Sequence, residues 1–592
     1  MSIQIDYVRI SGFRGISNIE ITLPRVTLLI GANNAGKTSV IKALQLALGD
    51  YARFLADEDF YINDAEKRQE EILVDIRFIP IDATTKQRGV DFTEVWQQEF
   101  GDNIQSTADG NQYVVTRTIA KPDKIKGGYL VERYALDKWP DFDKWGDEPV
   151  SKKRQLKSRF EAIPFISIDA QRDIHSELKE KSSFIGRVLS SVEYNDDDVK
   201  ALEDKVAEIN KEAIDKSEPL KKLKQHLDSL NHSFDIGGQT ELAPFPKKIR
   251  DLSKRFSVHF GESESNSFSM EYHGMGTRSW ASMLTVKAFV EMMASNHEAQ
   301  ADPFFPIMAA EEPEAHLHPN AQRTLYSQLV DTAGQIIIST HSPYLAAMAD
   351  ITNLRGLIKS NTGVNATALV AGLDPEDIHI LQREIMRFRG EILFAKAIIL
   401  FEGVTEEQLI PAMFEAYFGF SAFSVGVTCI SVAGKNYPPF VKMAASFAIP
   451  VCIVSDNDGT TEHEITSQLA KINKINGLVL SADNFFLSYL HTGNDIEAEL
   501  IAPLGLRREI MDALVLTETR GVGNEQYIAA KKKEIAVLND TQLLAKMHSS
   551  KASYAGFLAD VIKRNPYQKS KESLVPEAVR NAFDQIQGWI SK

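Results

Sequence analysis

Five nearly continuous apolar runs punctuate the chain, at residues 26–30, 306–310, 335–339, 397–401 and 449–454, and each is followed at once by Gly, Ser, Thr or an acid. Runs that short, without alternation, suit strands covered on both faces, as in parallel sheets flanked by helices. Residues 3–10 and 19–23 alternate instead, and predict a half-solvated antiparallel pair. Short strands with turn residues between them are expected over 103–118 and 127–136. Helical patterns follow the buried runs at residues 39–48 and from Thr405 onward. Strands alternating with helices in this order predict an α/β fold.

Residues 174–253 change character. Val199, Leu202, Val206 and Ile209 recur at three- and four-residue steps. After Ser217-Glu218-Pro219 the spacing returns in Leu220, Leu223, Leu227 and Leu230. Two amphipathic helices with a break between them form a helical hairpin, whose stripes can pack within the chain or make a dimer seam. Asp196, Asp197 and Asp198 suit the solvated N-terminus of the first helix.

A chain of 592 residues has room for roughly three or four units. Its 66 basic and 81 acidic residues give a formal charge of −15, which argues against nonspecific coating of nucleic acid. Local basic runs remain at Lys152-Lys153-Arg154 with Lys157 and Arg159, at Lys531-Lys532-Lys533, and at Lys563-Arg564 with Lys569 and Lys571. Each taken alone reads as a solvated helix face. No run reaches membrane-spanning length, and residues 1–6 lack a basic region followed by an apolar core. Cys429 and Cys452 lie in strand-like segments and read as two buried thiols, so a cytoplasmic location is expected.

The turns after the buried runs carry the chemistry. Residues 31–38 match G-x-x-x-x-G-K-[ST] between a strand and a helix. Gly31, Asn34, Gly36, Lys37, Thr38 and Ser39 are the candidate nucleotide contacts. The glycines permit a tight backbone, the amides face phosphate, Lys37 reaches the β and γ groups and Thr38 holds magnesium. Downstream, Glu311 is placed for the magnesium shell, Glu312 for orienting or deprotonating the attacking water, and His341 for the γ-phosphate. Residues 274–279 precede a helix and can offer amides and a hydroxyl to a nucleotide held by a second subunit. Gln171 is a candidate magnesium sensor. His316 and His318 read as loop-positioning residues rather than metal ligands.

A second acidic set follows. Glu402 and Glu406 flank the turn after residues 397–401, Asp456 and Asp458 follow residues 449–454, and a glycine turn at residues 431–436 lies between. Acids just past the carboxyl ends of parallel strands project into the ligand crevice of an open α/β sheet. Four carboxylates there repel one another unless cations intervene, and hard oxygen donors suit magnesium or manganese. Each acid taken singly is also an ordinary capping or turn residue.

In order, the first set resembles the Walker A, signature, Walker B and histidine-switch elements of ABC-type ATPases, especially the RecF and structural-maintenance-of-chromosomes branch. The turn at Phe13-Arg14-Gly15 fits that branch, while residues 274–279 depart from its usual L-S-G-G-Q signature. The second set, E-G-x-T-E followed by D-x-D, resembles the Toprim domain of topoisomerases, primases and certain nucleases. The whole layout resembles the OLD (overcoming lysogenization defect) family of nucleases, including Gabija defence subunits. That resemblance implies an ATPase N-lobe at 1–173, a helical dimerisation insert at 174–255, an ATPase C-lobe at 256–385 and a Toprim nuclease domain with a helical C-terminal segment at 386–592. It implies an ATP-binding, metal-dependent DNA endonuclease, controlled by its ATPase module and serving anti-phage defence. Hydrolysis would use two metals, one activating water and one stabilising the leaving oxygen. The cofactors implied are two Mg2+ or Mn2+ ions, held by Glu402, Glu406, Asp456 and Asp458, and ATP with Mg2+. A further metal-binding acid is placed at Glu497, with Asp495 and Glu499 competing, and a charge-stabilising lysine at Lys551, with Lys563 as runner-up. Double-stranded DNA, a homo-oligomer (a dimer or dimer of dimers) and a UvrD-like helicase are the implied partners, with no membrane. The competing readings are an ATP-gated repair or clamp protein, and a sensor whose cleavage depends on a partner. Primase activity is disfavoured by the lack of a zinc-binding cysteine set.

Overall fold

The computed structural model describes residues 3–63, 65–125, 127–169, 196–222, 224, 259–261, 267–269, 274–360, 363–370, 373–383, 390–475, 477–521 and 523–591. Gln171 and the stripe positions Leu223, Leu227 and Leu230 lie outside them. The first stripe lies on the helix Asp196–Lys216.

Among the described residues three large sheets organise the chain, beside a two-stranded pair at His259–Gly261 and Ser267–Ser269. The first is antiparallel, in the order Ile16–Thr22, Ile3–Phe13, Ile72–Pro80, Gln112–Pro122, Ile104–Ser106, with Tyr129–Leu136 also paired to Gln112–Pro122. The second runs Gly363–Ala368, Leu354–Ser360, Val26–Ile30, Gln335–Ser339, Ile307–Glu311, Phe165–Ile168. It is parallel except for its Gly363–Ala368 edge. Leu29 is in register with Ser339 and Ser339 with Glu311, so the three central strands end level with one another. That register brings Gly31, His341 and Glu311 to one edge.

The third sheet is wholly parallel, in the order Val427–Ser431, Ala397–Phe401, Val451–Ser455, Phe485–Tyr489. Its second strand is buried at every position, as its unbroken apolar run requires. The run predicted over 449–454 loses its first two residues because Pro450 cannot donate to a ladder; its carbonyl accepts from the Ile398 amide at 2.9 Å instead. The helix predicted over 39–48 begins earlier, at Lys37, because Gly36 takes a left-handed φ of 98° that turns the loop directly into the helix.

One apolar core passes without a break from Leu28, Met308 and Ile338 of the second sheet, through Phe440 and Phe447 of the helix Pro438–Ser446 and its C-cap, to Ile398, Leu400 and Ile453 of the third. Across this seam a Cβ on Gly356 would stand 3.2 Å from the Phe447 ring, Ser446 Oγ accepts from the Val370 amide at 3.3 Å, and Lys442 pairs with Asp377. The other face of the third sheet carries the C-terminal helices, packed through Leu409, Phe414, Ile510, Leu558 and Phe583.

Cys429 and Cys452 are free and lie on strands separated by Ala397–Phe401. Much of the basic charge fastens the fold internally. Arg154 pairs with Asp137 at 2.7 Å, Lys531 with Glu518 at 3.2 Å, Lys569 with Glu509 at 3.1 Å, and Lys571 sits 4.7 Å over the Tyr417 ring. Among the described residues no helix is long and apolar enough to cross a membrane.

Candidate active site

The carboxyl edge of the third sheet gathers acids from three chain segments. Glu402 leaves the central strand and is fixed by Ser455, whose Oγ donates to its Oε1 at 2.8 Å across the neighbouring strand end. Glu406 lies in the first turn of the helix Val404–Phe418 and is buried. Its carboxylate folds over residue 403, where a Cβ would come within 2.9 Å of its Oε2, so a side chain there would displace the Glu406 carboxylate. The turn at residues 431–436 lies alongside. Gly434 N and Ser431 Oγ both donate to the Glu402 carbonyl, at 2.9 and 3.1 Å. Positive φ values at Ala433 (55°) and Gly434 (102°) make that approach.

Asp456 stands at the centre. Burial first, then the charges of Glu406, Glu402, Asp495 and Glu497, push its carboxyl up to about 8. Burial likewise raises Glu402, against the donation from Ser455. Asp495 and Glu497 arrive because the loop after Phe485–Tyr489 is laced to Asn457: Asn457 N donates to Asn494 O at 3.0 Å and Gly493 N to Asn457 O at 2.8 Å. Glu497 is fully buried and accepts from Thr405 Oγ1 at 2.8 Å and Tyr554 Oη at 3.4 Å. Asp495 caps the helix Ile496–Ile501 with Oδ1 and turns Oδ2 to His548 Nε2, 2.8 Å away. So dense a set of oxygen donors, with one member held protonated near neutrality by the others, fits hard divalent cations.

Asp458 is not drawn into this cluster. Its side chain is 61% exposed, and donation from Thr461 Oγ1, then the charge of Lys435, hold its carboxyl below the usual range. It stands at the rim, near enough to raise Glu402. Glu499, the competing acid, is occupied by His491 Nδ1 at 2.6 Å and Asn494 Nδ2 at 2.8 Å. Lys551 opens the helix Lys551–Arg564, but its side chain lies outside the described residues; Tyr554, one turn on, reaches Glu497. Lys563 is at the far end of that helix and pairs with Glu415 at 2.7 Å, roughly 18 Å of helix from Lys551.

The edge of the second sheet holds the other set. Lys37 is buried and folds back on its own loop, donating to Gly31 O at 2.9 Å and Ala32 O at 3.0 Å. Asn34 adopts φ 61° in that loop. Ser39 lies in the helix's first turn. Thr38 donates to Glu311, which also meets Lys42 at 2.9 Å and is raised chiefly by burial. Glu312 is half exposed, 3.6 Å from His341 Nε2. Burial and then Lys37 lower the His341 imidazole, while Glu312 raises it. Glu314 does something not legible in the sequence. Its Oε1 accepts from Thr340 Oγ1 at 2.7 Å, His341 N at 2.9 Å and Ser342 N at 3.2 Å, tying the acidic turn to the His341 turn.

Residues 274–279 do not precede their helix but enter its first turn, since it spans Met275–Gln300. Ser279 is buried there and a Cβ at Gly276 would lie 2.4 Å from His316 O. Only Gly274 and Met275 of the early positions are exposed, so the helix N-terminus is open to solvent while the Ser279 hydroxyl is not. His318 caps the helix Pro319–Val330 through Nδ1, 3.3 Å from Asn320 N.

With the geometry in place, comparison with known proteins decides the family. The AAA ATPase domain matches residues 4–346, more than half of the chain. The chain belongs to the AAA ATPase domain family. An overcoming-lysogenization-defect-like TOPRIM domain matches residues 393–458, which carry Glu402, Glu406, Asp456 and Asp458. Similar curated proteins are the Old nuclease of Escherichia phage P2, 22% identical over 74% of this chain and 74% of its own, and the OLD nuclease of Thermus scotoductus, 23% identical over 76% and 81%. Endonuclease GajA of Bacillus cereus is 20% identical over 76% of this chain and 74% of its own.

In this AAA ATPase family member the α/β class and the C-terminal TOPRIM domain with its parallel sheet stand as expected. The sequence places Thr405 in the E-G-x-T-E turn but gives no role toward Glu497 to it or to Tyr554, and none to His548. Thr405 carries a testable role, since Thr405→Val keeps shape but removes a donor from the buried Glu497 carboxylate. It should cost about 1–3 kcal/mol in thermal unfolding. It should also weaken divalent-metal binding by roughly 10–100-fold in titration calorimetry.

Proposed function

We propose that this protein is an ATP-binding, divalent-metal-dependent endodeoxyribonuclease that hydrolyses phosphodiester bonds of double-stranded DNA in anti-phage defence. The observation that carries the reading is Asp456, buried among Glu402, Glu406, Asp495 and Glu497 with its carboxyl pushed up to about 8. Relatives named nuclease and endonuclease support it.

Two Mg2+ or Mn2+ ions bound at this edge would supply charge neutralisation and polarise the scissile phosphate. Glu402, Glu406 and Asp456 would hold the inner ion, Glu497 the adjoining one, with Asp458 at the rim. Ser455 and Thr405 keep two of these carboxylates oriented before DNA arrives, so little reorganisation remains for the reaction itself. Lys551 stabilises the negative charge developing on the leaving oxygen. In the ATPase half, Lys37 binds the β- and γ-phosphates within the cradle of Gly31, Asn34, Gly36 and Ser39. Thr38 and Glu311 hold the nucleotide's magnesium, Glu312 takes the water proton, and His341 faces the γ-phosphate. A second copy presents its Gly274 helix end to that nucleotide, which makes a dimer, or a dimer of dimers, the working form. The units are 1–173, 174–255, 256–385 and 386–592. A UvrD-like helicase belongs to the same proposal as an auxiliary partner.

The test is purified protein with supercoiled plasmid, with Mg2+, Mn2+ or EDTA, with and without ATP, alongside Glu402→Ala. Nicking and linearisation that require the metal and vanish in Glu402→Ala are expected. Equal cutting by both proteins would overturn the assignment.

A further inference from the structure

The three residues Asp495, Glu497 and His548 come from two separate segments, and one ligand atom from each lies within 4.8 Å of the other two. His548 Nε2 is 2.8 Å from Asp495 Oδ2 and 3.9 Å from Glu497 Oε2. Six-coordinate cations with bonds of about 2.1 Å place neighbouring donors roughly 3.0 Å apart and opposite ones roughly 4.2 Å apart. The 3.9 Å separation falls between those values, and the 2.8 Å one lies slightly below the shorter of them. The donors are also pre-aimed. The Ala498 amide occupies Asp495 Oδ1 and leaves Oδ2 for the cluster, while Thr405 and Tyr554 hold Glu497 by Oε1 and leave Oε2. His548 lies in the last turn of the helix Asp540–Ser549, whose start is fixed by a reciprocal Asn539–Gln542 cap, and its side chain is 40% exposed, open to an ion entering from solvent.

We infer that His548 is a direct nitrogen ligand to one of the cations of this site, and that it biases that position toward manganese-like ions over magnesium. The inference rests on the metal-site reading above and deepens it. Magnesium and calcium prefer all-oxygen surroundings, whereas an imidazole nitrogen raises affinity along the series from Mn2+ to Co2+, Ni2+ and Zn2+. A donor set of two carboxylates and one imidazole is the mixed type that discriminates in this direction. The inner position around Glu402, Glu406 and Asp456, made of oxygen alone, carries no such bias.

The bland role for His548 is a hydrogen bond that orients Asp495 without touching metal, and the two roles separate spectroscopically. Full-length protein loaded with Mn2+ is examined by pulsed electron paramagnetic resonance for 14N coupling, with His548→Gln as the variant because glutamine keeps a donor toward Asp495. Coupling from a bound nitrogen is expected in the wild type and absent in His548→Gln, whose Mn2+ affinity falls by roughly 10–100-fold while its Mg2+ affinity changes far less. No coupling in Mn2+-loaded wild type, coupling that persists in the variant, or equal loss of both metals would overturn the assignment. The melting curve of His548→Gln confirms that the variant is folded. Plasmid cleavage measured in parallel keeps the two readings apart. Nitrogen coupling without cleavage supports the ligand and discards the nuclease, and cleavage without coupling discards the ligand alone.

Discussion

Asp456→Asn is expected to abolish plasmid cleavage and, in the same protein, to raise the melting temperature of the metal-free form. Asp456 is the residue on which the charges of Glu406, Glu402, Asp495 and Glu497 all press, so it would be the carboxylate most relieved by a bound cation. Loss of activity by at least a hundredfold is the order expected from removing a central ligand. The stability effect has the opposite sign. The folded-state carboxyl titrates near 8, above its ordinary 3.8. The proton it binds therefore stabilises the fold fully below pH 4, and that contribution is lost as pH rises through 8. Above that, the ionised group strains the metal-free protein by up to a few kcal/mol, which asparagine relieves. Melting curves in EDTA at pH 6 and pH 8.5 should show the variant's advantage growing with pH. A variant that cuts normally, or that melts below the wild type at pH 8.5, would contradict this account.

Lys37→Ala should remove ATP binding at micromolar nucleotide and leave the fold intact. The ammonium group supplies the charge that meets phosphate, and truncating one partner of a buried charge pair costs about 2–5 kcal/mol, thirtyfold or more in affinity. Burial lowers this lysine to about 8, with Glu312 and Glu314 opposing the drop. Nucleotide affinity should therefore weaken between pH 7 and pH 9, since binding must take up a proton that the free protein progressively gives away. Fluorescent nucleotide titration across that range checks both statements, and an affinity flat in pH would remove the role assigned to burial.

The strands and the two carboxyl edges that gather the polar residues were legible because apolar runs and the glycine-lysine loop are local patterns. Glu402 and Asp456 were legible for the same reason, since each ends such a run. What sequence could not supply was the company each acid keeps. Asp458 sits two residues from Asp456 yet turns outward to Thr461 and Lys435, a choice made by the helix Thr461–Ile472 that begins beneath it. Asp495, Glu497 and Glu499 alternate along one short stretch and look interchangeable. One faces His548, one is buried against Thr405, and one is bound by His491 and Asn494, and only packing distinguishes them. Glu314, to which the sequence gives no role, is held by three donors from the His341 turn.

The core that joins Leu28 and Ile338 to Phe440 and Phe447 leaves no lubricated plane between the two catalytic edges. Severed there, each half would expose an apolar flank that the other now covers, so a fragment cut at that seam would need polar replacements along it to stay dissolved.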